Sequence, residues 1–231
     1  MEVIKKAMDY LGKDSSYSDT ARILGVYLEG PFLNEKRCGA LDRRFFLKPD
    51  EKKLEEILEG FYDVVKVITV APELDGAMRL IKLLTKKGII VSMGHSEATY
   101  TEAEEAYKNG ARLITHIFNA MKPFHHRNVG IAGFGLLKRD VYVEVIGDLN
   151  HLDIKTIELV FRMKKNDRII LVSDSFRGTL KNNKKKKRLE GGDAPLSLCA
   201  KRLIEAGFDA ELIETCISEN PLSMLRTFGR G

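Results

Sequence analysis

Short apolar, β-branched runs alternate along the chain with segments of helical period. The runs are ILGVYL (23–28), VVKVITV (64–70), IIVSM (89–93), LITHI (113–117), VYVEVI (141–146) and RIILVS (168–173). They are nearly continuous in hydrophobicity rather than alternating, as expected of strands buried on both faces. Helical segments follow the first three runs: DEKKLEEILEGF, LDGAMRLIKLLTKKG and TYTEAEEAYKNG. In the last of these, Thr99 and Glu102 have the spacing of a capping box and Gly110 supplies the stop. Another helix is expected to end near Leu11 and Gly12, ahead of the first run. The tail from Ala194 reads as two helices and a turn, with Asn220 and Pro221 breaking the pattern before a last short helical start or frayed end.

Strands alternating with helices require parallel crossovers, so the predicted fold class is α/β. No GxGxxG or P-loop favours an open nucleotide-binding sheet. The polar residues decide the architecture: Glu29, Glu73, His95, His116, Asp148 and Asp174 all fall at or just beyond the carboxyl ends of the runs. That placement is the catalytic rim of a (β/α)8 TIM barrel. A whole barrel has eight strands over about 250 residues. The six runs therefore predict an incomplete barrel, in a single domain over residues 1–231.

On that rim Glu29, His95 and His116 offer one carboxylate and two imidazoles. With an open fourth position, this is a donor set that catalytic zinc uses. Each histidine alone would suit an ordinary hydrogen-bonded structural role; three such residues on equivalent strand ends point to one site. Asp174 stands where a carboxylate could take a proton from an activated water and return it to a leaving group. His151, beyond the fifth run, suits either a surface position or polarisation of a substrate carbonyl, and spacing does not choose between them.

At 231 residues, 44% hydrophobic and 31% charged, the chain has the composition of a soluble globular protein. No apolar stretch approaches the ~20 residues of a membrane-spanning helix. The start, MEVIKKAMDYLG, lacks the apolar core and cleavage site of a secretory signal, so the cytoplasm is the expected location. Cys38, Cys199 and Cys216 are too few and too far apart for a disulfide framework or a structural zinc site, and are expected to be reduced thiols. Much of the net charge of +5 sits in KNNKKKKR (181–188). Without interleaved aromatics this run reads as a solvated loop, and no nucleic acid is expected as a partner.

The segments VYLEGPFLNEKRCGA, GHSEATY, THIFNAMKPFHHRNVGIAG, VEVIGDLNH and ILVSDS, in this order, resemble the N-acetylglucosamine-6-phosphate deacetylase family of the amidohydrolase superfamily. The resemblance runs from about Ile23 to Ser175 and resumes in the tail. It implies that Glu29, His95 and His116 are ligands of one divalent metal, zinc first, with iron, cobalt or nickel also suited. It implies Asp174 as the catalytic acid and base, and His151 as the residue that holds and polarises the acetamido group. Ala40, Leu41, Asn119 and Ala120 fall at substrate contacts, and Leu189, Glu190 and Gly191 fall in a segment that lines the sugar site. Arg127 matches a phosphate-binding arginine that reaches across a homodimer interface; on composition alone, Phe124 to Asn128 would be a polar turn. The implied reaction is hydrolysis of N-acetylglucosamine 6-phosphate to glucosamine 6-phosphate and acetate, a step of amino-sugar catabolism.

The sequence also departs from the family. Members carry an amino-terminal stretch with a first strand bearing an HxH metal pair, a second strand, and part of a small β-sandwich. Here no HxH occurs, and Met1 falls on what resembles the helix after the second strand. A lysine-rich loop over 176–192 takes the place of the segment that returns to the sandwich. Tyr27 and Leu41 stand where the family has histidine. Two expectations follow: a deacetylase with a mononuclear site, or a non-catalytic or weakly active remnant that binds metal, sugar phosphate or a partner supplying strands. A related substrate such as N-acetylgalactosamine 6-phosphate would use the same metal site.

Overall fold

The computed structural model of the chain describes residues 23–175 and 191–229. The helix expected near Leu11, the lysine-rich run, Leu189 and Glu190 lie outside the described residues. The strands are β1 (Val26–Leu28), β2 (Val65–Val70), β3 (Ile90–Met93), β4 (Leu113–Ile114), β5 (Tyr142–Ile146) and β6 (Ile169–Val172). They form one parallel sheet in sequence order. Helices α1 (Glu51–Leu58), α2 (Ala77–Lys86), α3 (Tyr100–Lys108), α4 (Gly130–Leu137) and α5 (Ile154–Met163) make the crossovers between successive strands. After β6 come α6 (Leu196–Glu205), α7 (Ala210–Ile217) and α8 (Glu219–Phe228).

The sheet curls as part of a barrel. Strands in a flat sheet stand about 4.8 Å apart, so β1 and β5 would be separated by roughly 19 Å. Instead the Tyr27 hydroxyl of β1 lies 3.4 Å from Glu144 Oε2 of β5. The interior is stacked in layers that follow the two-residue strand period. Val67, Ile90, Leu113, Tyr142 and Ile170, one from each of β2 to β6, form an apolar plug closed by Met224 of α8. Two residues further along lie Thr69, Ser92, Thr115 and Glu144, joined by Tyr27 in a connected set of side-chain hydrogen bonds. Glu29 and Asp174 continue the same alternation at the mouth. Outside, Leu80, Ile81 and Leu84 of α2 share the main core with Val91 and Met93 of β3.

Two helices were not anticipated as such. The α4 segment GIAGFGLL contains three glycines and is buried from Gly130 to Leu136, so it carries no amphipathic stripe by which to read it. In the tail, Asn220 and Pro221 do not end the helical pattern but open α8. Proline is tolerated in a first turn because its missing N–H has no intrahelical partner there. Asn220 is buried and donates to the carbonyls of Asn166 and Ile169, both at 2.7 Å, which fastens α8 to the start of β6. All three cysteines are free thiols, and Cys199 and Cys216 are buried.

The capping box expected of α3 is present: Glu102 N–H donates to Thr99 Oγ1, and Thr99 N–H donates to Glu102 Oε2 at 2.7 Å. Thr99→Ala is expected to lower the unfolding free energy by about 1 kcal/mol. An unchanged urea midpoint would contradict the cap's contribution.

Candidate metal centre

Glu29, His95 and His116 leave the ends of β1, β3 and β4 and meet at one point. Glu29 Oε1 lies 2.8 Å from His95 Nε2 and 2.7 Å from His116 Nε2, and the two nitrogens are 3.2 Å apart. The backbone departs from the strands to reach this arrangement. Six non-glycine residues among those described have positive φ, and His95 (46°), His116 (27°), Ala120 (45°) and Asp174 (49°) are four of them. Such conformations cost on the order of 1–3 kcal/mol each and persist where the surroundings fix them.

The surroundings of His95 are specific. Its Nδ1 lies 2.7 Å from the carbonyl of Arg37, which can only accept, so Nδ1 carries a proton. In the neutral ring Nε2 is then a lone pair facing a carboxylate oxygen at 2.8 Å, a repulsive pairing unless positive charge stands between them. Glu73 holds the loops that carry this geometry, accepting from Asn34 Nδ2 (2.8 Å), Ser96 Oγ (2.7 Å) and the Glu97 N–H (2.6 Å). Glu73 thus serves the site from behind rather than lining it. The donor chemistry fits a divalent cation: the Glu29, His95 and His116 donor atoms lie within 4.8 Å of one another, two of the three residues buried.

These residues line a cavity of about 460 Å³ together with Ala40, Leu41, Asn119, Ala120, His151, Asp174 and Gly191. Of the residues singled out from sequence, these ten therefore come together. Arg127 does not: it is exposed in the turn bridged by His125 and Asn128. A larger cavity of about 560 Å³ lies between α4 and α5, lined chiefly by apolar groups such as Phe124, Leu137 and Leu159. It contains none of the three converging donors.

No model of a protein family matches the chain. Individual proteins do. N-acetylglucosamine-6-phosphate deacetylase of Lysinibacillus sphaericus is 38% identical over 163 residues, which cover 71% of this chain and 42% of the relative. The Mus musculus protein of the same name is 32% identical over 97% of this chain and 61% of its own length. Among solved structures, N-acetylglucosamine-6-phosphate deacetylase from Thermotoga maritima superposes with a TM-score of 0.85 at 32% identity, over 97% of this chain and 65% of that one. Over most of its own length the chain is similar to N-acetylglucosamine-6-phosphate deacetylases. It spans about half the length of the curated relatives it matches. The enzyme from Mycobacterium smegmatis, 26% identical with a TM-score of 0.81, has been solved as a mutant in complex with N-acetyl-D-glucosamine-6-phosphate.

The charges at the centre act strongly on one another. Burial works to raise the Glu29 carboxyl, but hydrogen bonds from His116 and His95 outweigh it and hold the group well below the ordinary carboxylate range. Burial works to lower His116, and the adjacent Glu29 more than offsets it, so its affinity for a proton rises. Both shifts express one demand for positive charge beside Glu29. Asp174 is raised, chiefly by burial and despite the opposing influence of His116.

Glu144 is the site-adjacent residue that sequence reading missed. It lies beneath His116, whose N–H it accepts at 3.3 Å, and burial pushes its carboxyl up to about 7. The available signal was a carboxylate in the middle of an apolar run, VYVEVI. Because the folded value lies above the ordinary 4.5, the folded state holds the extra proton between those values, and stability falls as pH rises through them. Glu144→Gln keeps the shape without the charge. It is expected to be more stable than the parent at pH 8, by on the order of 2 kcal/mol, and equal to it below about pH 4. Urea unfolding at both pH values checks this; equal stability at pH 8 would contradict it.

Proposed function

We propose that this chain carries the metal-dependent deacetylase site for N-acetylglucosamine 6-phosphate, within a single partial TIM-barrel domain. The observation that supports the reading best is the convergence of Glu29, His95 and His116 in one cavity with Asp174 and His151. Glu29, His95 and His116 would hold the cation, with zinc the first choice and iron, cobalt or nickel alternatives. When bound, it supplies Lewis acidity at an amide carbonyl and lowers the pKa of water toward about 7.

The chain's own groups do the rest. Asp174 takes the proton of the attacking water and passes it to the departing nitrogen, and its raised proton affinity suits both halves of that exchange. His151 lines the same cavity and would hold and polarise the acetamido group. Asn119, Ala120, Ala40 and Gly191 offer the sugar ring small side chains and backbone polar atoms, while Leu41 offers only an apolar contact. Leu189 and Glu190 would extend that wall. Arg127 is assigned to the phosphate of a neighbouring subunit in a homodimer, where a guanidinium can bind two phosphate oxygens together. Its exposure in a turn, away from its own chain's cavity, favours that assignment. Acetate and the free amino sugar phosphate leave. The cytoplasm is the proposed location; no helix among the described residues is long and apolar enough to cross a membrane.

A second reading, binding without turnover, rests on one observation. The edge strands β1 and β6 flank a cavity of about 520 Å³ lined by Tyr27, Glu144 and Val172, and Tyr27 is 38% exposed. Water reaching the layer beneath the metal ligands would weaken the electrostatics on which hydrolysis depends. The discriminating experiment is acetate release by the zinc-loaded protein from N-acetylglucosamine 6-phosphate, N-acetylgalactosamine 6-phosphate and unphosphorylated N-acetylglucosamine. Release confined largely to the first supports the proposal. Release from none of them, by a folded and metal-loaded protein, would favour the second reading.

A further inference from the structure

Beside the cavity lies a second buried assembly, centred on Asp148 after β5 and reaching the cavity through His151. The Asp148 side chain is 0% exposed and accepts four hydrogen bonds. Oδ1 accepts the N–H groups of Asn150 and His151, both at 2.9 Å. Oδ2 accepts His151 Nδ1–H at 2.7 Å and the Asp193 N–H at 3.1 Å. Burial works to raise this carboxyl, and the four donors, His151 foremost, outweigh it and keep it ionised. The tail holds the assembly from outside. Arg202 of α6 donates to the Asp148 carbonyl at 2.7 Å and to Asp193 Oδ1 at 2.9 Å, and Asn150 donates to Asp193.

We propose that Asp148 is the positioning residue that fixes which nitrogen of His151 faces the substrate, with the Asp193 to Arg202 segment as its brace. A carboxylate saturated by donors can only accept, so Nδ1 of His151 must carry a proton. Nε2, which makes no hydrogen bond among the described residues, is the ring nitrogen left for a ligand, and His151 lines the cavity shared with Glu29, His116 and Asp174. The neutral ring therefore offers a substrate group a lone pair, and the imidazolium offers an N–H. A neutral ring with its proton on Nε2 is excluded by the pairing. Polarisation of a carbonyl by His151 thus requires the ring protonated on both nitrogens, with the Asp148 carboxylate holding the Nδ1 side. The role in catalysis rests on the deacetylase reading, whereas the proton assignment does not.

The test is ring-nitrogen ¹⁵N NMR of the zinc-loaded protein, with His151→Gln identifying the His151 signals. The parent is expected to show a protonated Nδ1, with Nε2 either unprotonated or protonated together with it. In Asp148→Asn, the amide group placed toward His151 becomes a donor, so the proton should move to Nε2 while Nδ1 accepts. kcat for acetate release should fall about 10–100-fold, the scale of losing a histidine's orienting partner, with KM changed far less. A neutral parent ring protonated on Nε2 overturns the proposal, as does an unchanged tautomer in folded Asp148→Asn. If that variant does not fold, the parent spectrum alone decides. A protonated Nδ1 in a parent that releases no acetate would leave the positioning intact and sink the deacetylase reading instead.

Discussion

His116→Ala is expected to lower the affinity for divalent metal by at least about 100-fold, since loss of an outer partner of a ligand alone costs about 10–100-fold. His116 Nε2 lies 2.7 Å from Glu29 Oε1 and 3.2 Å from His95 Nε2, so its removal takes one of three converging donors and leaves two. The fold should survive. The strand pairing of β4 ends at Ile114, two residues before the histidine, and Ile117 keeps its own N–H bond to the Glu144 carbonyl. Equilibrium dialysis against zinc reads the effect directly. His125→Ala is the control, because His125 is exposed in a turn and outside the donor cluster. Equal zinc content in parent and His116→Ala would show that zinc is not held by these three residues.

Asp174→Asn should lower kcat for acetate release by about 10²–10⁴-fold, the usual contribution of a positioned acid and base, while leaving zinc content unchanged. Asp174 shares the cavity with Glu29, His95 and His116 but stands outside the donor cluster itself. An amide in its place keeps the volume and can still accept a hydrogen bond, but cannot take a proton. The steady-state rate and KM, measured with zinc content determined on the same samples, separate this role from metal binding. A variant that loses zinc along with activity would instead make Asp174 part of the metal's support.

Much of the fold was legible because β2 to β6 are buried on both faces along most of their length, which leaves nearly unbroken apolar runs. The ends of those runs were less so. LITHI reads as a strand through Ile117, yet pairing stops at Ile114, because the chain turns to bring His116 inward at φ 27°. The inward turn at His116 interrupts the pattern that announces the strand. α4 was invisible for the opposite reason, being apolar on every side. In α8, Pro221 signals a break in sequence but sits in a first turn, a distinction that depends on where the helix begins.

The same limits apply to the site. Glu29 and Asp174 lie on the inward-facing alternation of β1 and β6, so strand ends sufficed to find them. Glu144 and Asp148 were harder. Glu144 gains its meaning from Tyr27, 117 positions away, and Asp148 from Asp193 and Arg202, 45 and 54 positions on. Such pairings depend on barrel curvature and on the docking of the tail helices, which a single sequence does not display. The placement of Arg127 in an exposed turn, apart from the other ten described candidates, likewise reflects three-dimensional arrangement rather than residue type.

Zinc added stepwise to metal-free protein, with acetate release from N-acetylglucosamine 6-phosphate measured at each step, tests the metal-dependent site itself. Release should rise with the zinc bound and level off at one equivalent per chain, the capacity of the Glu29, His95 and His116 centre. Folded protein carrying that equivalent and releasing no acetate, or releasing acetate at the same rate without zinc, would contradict this expectation.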